Sequence, residues 1–347
     1  MTGAHKTIPV KDYRVAVILP CYNEAITIGQ TVEQFQDALP TATVYVYDNN
    51  STDATADVAV QCGAVVGFES HAGKGNVIRR MFADVEADIY VLADGDATYD
   101  SDSASDMVAH LIRNNLDMVN GARESTERAA YRRGHQLGNR ILTGLVHRLF
   151  SRKLEDMLSG YRVFSRRFVK TFPAMSQGFE IETELTIHAL QLRMPIDELP
   201  TPYKARPKNS TSKLSTYSDG LRILRMIGLL VKEEKPLQFF STVALFIFVP
   251  SFLVFLSVFN EFLATDEVRR FPSLFMALSG FIISSLSIVC AVLLDSISRG
   301  RREARHIAYL QYPGLRQWSQ SDVLDLISKD MSGGQKIDNH SRSSGGD

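Results

Sequence analysis

The chain has 347 residues, a formal net charge of −1 and 45% hydrophobic residues. That length accommodates one large α/β domain plus a smaller unit, and the near-neutral balance excludes the global positive field of a nucleic-acid binder. Cys21, Cys62 and Cys290 form neither a metal-ligand spacing nor a disulfide framework, which fits a reducing compartment.

At the N terminus, MTGAHKTIPVKDYR is polar and short. It lacks the apolar run of a secretory signal, so residues 1–13 read as an extension and the domain after them is expected to stay in the cytoplasm. Val15 to Leu19 is a short apolar run closed by Pro20, a buried-strand pattern. Ile28, Val32, Phe35 and Leu39 then recur at helical spacing. Val44 to Tyr47 predicts a second strand, Ala54 to Val60 a helix, Val65 to Phe68 a third strand, Lys74 to Val85 a helix and Ile89 to Ala93 a fourth strand. Alternating strands and helices predict βαβ units and a mostly parallel sheet over 14–216. Ligands of such sheets bind beyond the carboxyl ends of the strands.

Residues 217–236 place Leu221, Leu224, Ile227 and Leu230 or Val231 on one face, away from Arg222, Arg225 and Lys232. That suits an amphipathic helix lying in a membrane interface and equally a helix packed on the α/β domain. Residues 237–260 and 273–294 each hold an uncharged apolar run long enough to cross a bilayer. After the second run, Arg299, Arg301, Arg302 and Arg305 outweigh Glu303, which puts that end in the cytoplasm. Two crossings return the chain to its starting side, so the α/β domain is expected to face the cytoplasm at the inner membrane. The alternative is a buried helical hairpin. Residues 295–347 read as a basic segment followed by a Gly/Ser-rich tail expected to be disordered.

The chemistry concentrates in the predicted loops. Asp94 and Asp96 follow the fourth strand, with Gly95 between them. Two carboxylates so placed suit a hard divalent cation that bridges diphosphate oxygens; a solvated acidic turn is the plainer reading. Pro20-Cys-Tyr-Asn-Glu24 ends the first strand and Asp48-Asn-Asn-Ser-Thr-Asp53 the second. Both loops place polar groups where a nucleotide base and ribose could lie; Asn50 tolerates a left-handed turn, and Ser51 or Asp53 could instead cap the next helix, the plainer reading for Asp53. His71-Ala-Gly-Lys-Gly75 lacks the Walker spacing, and its Lys74 suits a phosphate or the opening of its helix. Glu180 and Glu184 share a helical face in Gly178-Phe-Glu-Ile-Glu-Thr-Glu184.

PCYNE, DNNSTDAT, GKGNVIR, LADGDATYD, SGYRVFSR and the late Arg206 with Ser212-Lys213-Leu214 occur in this order. Together they resemble family-2 glycosyltransferases of the polyprenyl-phosphate branch, which includes dolichyl-phosphate mannose synthases and bactoprenol glucosyltransferases. The resemblance covers about residues 14 to 220 and implies a GT-A fold and an inverting transfer. It implies nucleoside contacts from Pro20, Tyr22 and Glu24, and a base contact from Asp48. It places Asp94 near ribose, diphosphate or metal, and Asp96 on Mg2+ or Mn2+. Many members have a second Asp where this chain has Asn49, so a carboxylate role there is lost. Some mannose synthases have Gln at the position of Thr98.

For the acceptor, the resemblance implies that Asp156, in Asp156-Met-Leu-Ser-Gly-Tyr-Arg162, is a base or orients the acceptor. A phosphate monoester, with a second pKa near ~6, is already a nucleophile at neutral pH. It needs cations and alignment, for which Arg123, Arg162, Arg206 and Lys213 are the candidates, Arg because its planar fork binds two oxygens at once. Asp96, Asp156, Arg162 and Arg206 are thus the expected catalytic set. The expected partners are a nucleotide-sugar (UDP before GDP), polyprenyl phosphate and the membrane, with no nucleic acid; the two spans leave packing surface for a homo-oligomer. A processive polysaccharide synthase is the nearest rival, but its Gln-x-x-Arg-Trp element has no counterpart before the spans: the one tryptophan, Trp318, follows both. A nucleotidyltransferase would carry a Gly-rich loop with Arg and Lys after its first strand, which PCYNE is not. A non-catalytic nucleotide-sugar-binding subunit would not need the acidic pair beside the arginines.

Overall fold

A computed structural model describes residues 13–124, 144, 155–176, 178, 180–204, 232 and 235–315. Its α/β part alternates β1 (Val15–Cys21), α1 (Ile28–Ala38), β2 (Thr43–Asp48), α2 (Thr55–Gln61), β3 (Val65–Phe68), α3 (Lys74–Asp84), β4 (Ile89–Leu92), α4 (Ser103–Arg113) and β5 (Met118–Glu124). Then come β6 (Arg162–Ser165), α5 (Arg166–Thr171), α6 (Ile181–Gln191) and β7 (Ile196–Pro202). The predicted alternation through Ala93 is the observed one.

The seven described strands form one sheet in the order β3-β2-β1-β4-β6-β5-β7. Pairing is parallel except for β6, which runs antiparallel to both β4 and β5. Strand side chains alternate between two apolar layers. Ala16, Ile18, Tyr90, Leu92 and Phe164 face one, with α3, α5 and α6. Val15, Val17, Leu19, Val91 and Val163 face the other, with α1 and α4. Both faces of the central strands are covered, so β1 and β4 are near-continuous apolar runs, as buried parallel strands require, while the edge strands β3 and β7 are partly exposed. Each fully buried Ile, Leu or Val contributes roughly 1.5–3 kcal/mol.

Two long helices follow, α7 (Pro236–Thr265) and α8 (Phe271–Leu310). Both are long and apolar enough to cross a membrane, and Phe246, Leu253, Phe275 and Ile282 on their outer faces are exposed. They pack on each other through small residues. Ser284 Oγ donates to Ala244 O at 2.9 Å, and a side chain at Gly280 would collide with Ser251. The second apolar run ends at Leu294, but the helix does not. Arginine is a good helix former, and α8 continues through the basic segment until just before Pro313 and Gly314. The expected interfacial helix over 217–236 lies almost wholly outside the described residues.

Candidate active site

The parallel register brings the first two loops together, with Cys21 opposite Asp48. Side chains then stitch one loop to the other. Asn23 N donates to Ser51 Oγ at 2.8 Å, Thr52 N to Asn23 Oδ1 at 2.7 Å and Glu24 N to Thr55 Oγ1 at 2.8 Å. Asn23 and Asn50 carry the turns at φ 54° and 62°, the left-handed region Asn accepts. Asp53 is not the expected helix cap, since Ala54 holds that position with no side-chain cap bond; Asp53 instead accepts from Thr55 N and Ala25 N, both at 3.1 Å, and ties the two loops together. Pro20 is half-buried, Glu24 buried and Tyr22 exposed at the mouth of these loops.

Asp48 is buried beneath them. Its Oδ2 accepts from Ser51 N at 3.1 Å, while Oδ1 has no hydrogen-bond partner among the described residues. An unsatisfied buried acceptor costs roughly 1–3 kcal/mol, so a donor from water or a ligand would be favourable at this oxygen. Asn49 does work an Asp could not. Its Nδ2 donates to Glu69 O and His71 O, both at 2.8 Å, and its Oδ1 accepts from Gly73 N at 2.7 Å. The amide thereby fixes the loop that leads to Lys74.

The acidic loop leaves β4 sharply. Gly95 is required there, because a Cβ would come within 2.5 Å of Cys21 Sγ. Ala97 holds φ 57°, a conformation costing a non-glycine residue roughly 1–2 kcal/mol. Asp96 is buried, and its Oδ1 accepts from Thr98 Oγ1 at 2.6 Å. Asp94 is more open, and its Oδ1 lies 2.5 Å from Lys74 Nζ. Lys74 in turn lies 2.6 Å from Glu182 Oε1. Burial works against the ammonium, but Asp94 and Glu182 outweigh it and raise the pKa of Lys74, which stays charged. Burial pushes the Glu182 carboxyl up, with Lys74 partly offsetting it. Glu182 Oε2 is buried without a hydrogen-bond partner among the described residues.

The sequence pattern points to Glu180 and Glu184 in this acidic run, yet Glu182 is the carboxylate at the site. Glu184 accepts from Met175 N and Ser176 N at 2.8 and 2.7 Å and secures that loop. The available signal was phase: Glu182 shares the helix stripe of buried Leu185 and Ala189, where a carboxylate needs a reason to be.

Gly160 joins the two halves of the site. Its Cα stands so close that a Cβ would meet Asp94 Oδ2 at 3.0 Å and Lys74 Nζ at 3.1 Å, and its N donates to Tyr99 Oη at 2.9 Å. Four residues earlier, Asp156 receives the Arg123 guanidinium side-on, Nε to Oδ2 at 2.6 Å and Nη2 to Oδ1 at 2.9 Å. Burial would raise the Asp156 carboxyl, but the hydrogen bonds and charge of Arg123 hold it below the ordinary range. Such a carboxylate is a poor base and a good positioning partner for its arginine.

Arg162 departs from expectation as an acceptor cation. It lies on β6, an internal strand, with 0% exposure. Its guanidinium donates to Ser159 O at 3.0 Å, Met157 O at 2.8 Å and Thr186 Oγ1 at 2.8 Å. Burial lowers its pKa to about 10. It braces the Met157–Gly160 turn from inside rather than facing a ligand. Arg206 and Lys213 lie outside the described residues.

The donor set fits a hard divalent cation. Asp94 and Asp96 stand two residues apart on the bend after β4, each with one oxygen engaged, by Lys74 and by Thr98, and carboxylate oxygens are the donor type that such an ion takes together with phosphate oxygens and water. Among the described residues no third acidic, His or Cys side chain completes an all-protein metal cluster.

The profile of Glycosyl transferase family 2 matches residues 16–172. Glycosyltransferase AglJ of Haloferax volcanii is 33% identical over 238 residues, 68% of this chain and 78% of that protein. The dodecaprenyl-phosphate galacturonate synthase of Rhizobium johnstonii is 22% identical over 309 residues, 84% of this chain and 89% of that protein. The fold is that of glucosyl-3-phosphoglycerate synthase from Mycobacterium tuberculosis, solved with Mn2+, UDP-glucose and phosphoglyceric acid. The TM-score is 0.52 at 22% identity, covering 62% of this chain and 79% of that one. The β-strand loops described above, the profile match and the extent of the AglJ similarity lead to one assignment: this chain belongs to glycosyl transferase family 2 and is a glycosyltransferase of GT-A fold.

Proposed function

We propose that this glycosyltransferase moves a hexosyl or N-acetylhexosaminyl group from a nucleotide-sugar to polyprenyl phosphate at the cytoplasmic face of the inner membrane, inverting the anomeric configuration. The observation that carries the reading is the junction at Gly160. There Asp94 and Lys74 close on Gly160, four residues along from the Asp156 that holds Arg123, and β4 and β5 both end on this side of the sheet, so a donor diphosphate and an anionic acceptor would be held side by side. UDP is the preferred carrier and GDP the second. The unsatisfied Asp48 Oδ1 suits a base N–H, with Tyr22 and Glu24 flanking it. The Rhizobium relative, named for a dodecaprenyl-phosphate product, supports a lipid phosphate acceptor, as do the two exposed apolar helices.

In this reading an acceptor phosphate oxygen forms a bond to the anomeric carbon while the bond from that carbon to the nucleotide diphosphate breaks, and the bonding electron pair leaves with the diphosphate. The dianionic phosphate has no proton to lose, so Asp156 acts by holding Arg123 toward the acceptor. Arg206 and Lys213 are proposed as further acceptor cations. Asp94 and Asp96 would hold Mg2+ or Mn2+, whose contribution when bound is to neutralise charge on the departing diphosphate. Lys74 keeps Asp94 oriented for that role.

A donor screen tests the reading. Full-length chain in bilayers containing polyprenyl phosphate is offered UDP- and GDP-linked hexoses and N-acetylhexosamines, and lipid products are read by mass spectrometry. A lipid-phosphate monosaccharide with one donor class is expected. Donor hydrolysis alone, or transfer to a non-phosphate acceptor only, contradicts it.

A further inference from the structure

The last turns of α8 are locked into the α/β domain far from the reacting groups. Tyr309 is buried within the apolar layer that holds Phe168 and Phe172. Its hydroxyl donates to Asp117 Oδ2 at 2.8 Å. Asp117 is itself buried and accepts from Arg167 Nη2 at 2.8 Å, Arg167 Nε at 3.0 Å and Ser165 Oγ at 2.7 Å. The Arg167 guanidinium lies 4.3 Å from the centroid of the Tyr309 ring. Nearby, Arg305 Nη1 donates to Gln191 Oε1 at 2.6 Å, and Tyr13 Oη donates to Leu315 O at 3.3 Å.

This lock has a fixed relation to both ends of the molecule. Asp117 immediately precedes β5, whose other end carries Arg123; six residues of strand set that separation at about 20 Å. In the other direction α8 runs unbroken from Tyr309 back through its charged stretch to the apolar run ending at Leu294, about 22 Å of helix. Between Arg299 and Ile307 most of the helix surface is exposed, and Arg305 meets the domain at Gln191, so the stretch bridges the apolar run and the lock as one continuous helix. A flexible tether would need none of these buried polar contacts.

We propose that the cytoplasmic end of α8 is a strut: the Tyr309–Asp117–Arg167 lock makes the catalytic domain rigid with the second span and sets the distance of its active site from the bilayer, so that a membrane-embedded acceptor phosphate meets the donor in register. Tyr309, Asp117 and Arg167 are positioning residues. The proposal rests on the lipid-phosphate acceptor reading and adds that acceptor use depends on helix length outside the site.

The test inserts seven helix-forming residues between Glu303 and Ala304 of the full chain, nearly two turns, which keeps the docking face and displaces the domain by about 10 Å. Parent and variant are reconstituted in bilayers and assayed with a long-chain polyprenyl phosphate in the membrane and with a short-chain, water-soluble isoprenyl phosphate. The strut predicts at least about a tenfold loss of kcat/KM for the embedded acceptor, with the soluble one changed less than about twofold, since misplacement penalises only the anchored reactant. Tyr309→Phe, which removes one hydroxyl, should shift the same ratio in the same direction by a smaller factor. Equal loss on both acceptors, or no loss on either, overturns the strut. A parent chain that transfers sugar to neither acceptor overturns the acceptor reading itself, and the strut with it; a parent active on both with an unmoved ratio overturns the strut alone.

Discussion

Lys74 Nζ lies 2.5 Å from Asp94 Oδ1, tying the first residue of α3 to the acidic loop after β4. The lysine side chain is only 9% exposed and its second partner, Glu182, only 6%, so water screens this cluster weakly. Asp94 therefore reaches the site with its orientation set by a buried cation, and that cation is held by a carboxylate from α6.

Removing the cation should be severe. Lys74→Met leaves Glu182 buried beside Asp94 without compensation, and breaking a buried pair costs about 3–5 kcal/mol. Denaturant unfolding measures it. Lys74→Met with Glu182→Gln should recover part of the loss; a single variant as stable as the parent would contradict the cluster's role.

Arg162→Met should act on stability and not on acceptor affinity. It strips donors from two buried carbonyls, each worth roughly 1–3 kcal/mol when left unsatisfied, and from the Thr186 hydroxyl, which keeps its bond to Glu182 O. A variant with parent-like stability and a raised KM for the acceptor alone would restore Arg162 to the phosphate site.

The pH dependence separates Asp156 from a general base. Its folded pKa lies below the unfolded value of about 3.9. Its stabilising contribution is thus complete above that pH and fades as pH falls through the folded pKa. Asp156→Asn should lower stability at pH 7 and flatten acid unfolding below about pH 4. The rate should fall on the acid side near ~6, where the acceptor phosphate gains a proton, in parent and variant alike. Loss of that limb in Asp156→Asn would make Asp156 the base.

Asn49→Asp removes both amide donations, to Glu69 O and His71 O. A loss of about 1–3 kcal/mol and weaker UDP binding by calorimetry are expected; unchanged values would show that the loop holds without the amide.

The strand–helix alternation from Val15 to Ala93 was legible because strands buried on both faces are short, apolar and punctuated by polar loops. The loop residues were legible for the same reason: each ends a strand. Arg162 was misread because an arginine after a Ser-Gly turn looks ligand-facing, while only the pairing of β6 on both edges reveals that it points into a packed layer. Glu182 was hidden because its partner, Lys74, is 108 positions away. The continuation of α8 past Leu294 was also hidden. Charge marks where a membrane run ends, but helix propensity carries on until Pro313.

The central claim is that Asp94 and Asp96 hold a cation that lets the nucleotide diphosphate depart to a lipid phosphate. The direct measurement is sugar-lipid formation by the full chain in bilayers with polyprenyl phosphate and the preferred donor, before and after chelation and with Mn2+ restored, beside Asp96→Asn. The account predicts loss on chelation, recovery with Mn2+ and a drop of at least about a hundredfold in the variant; undiminished product under chelation, or from Asp96→Asn, would contradict it.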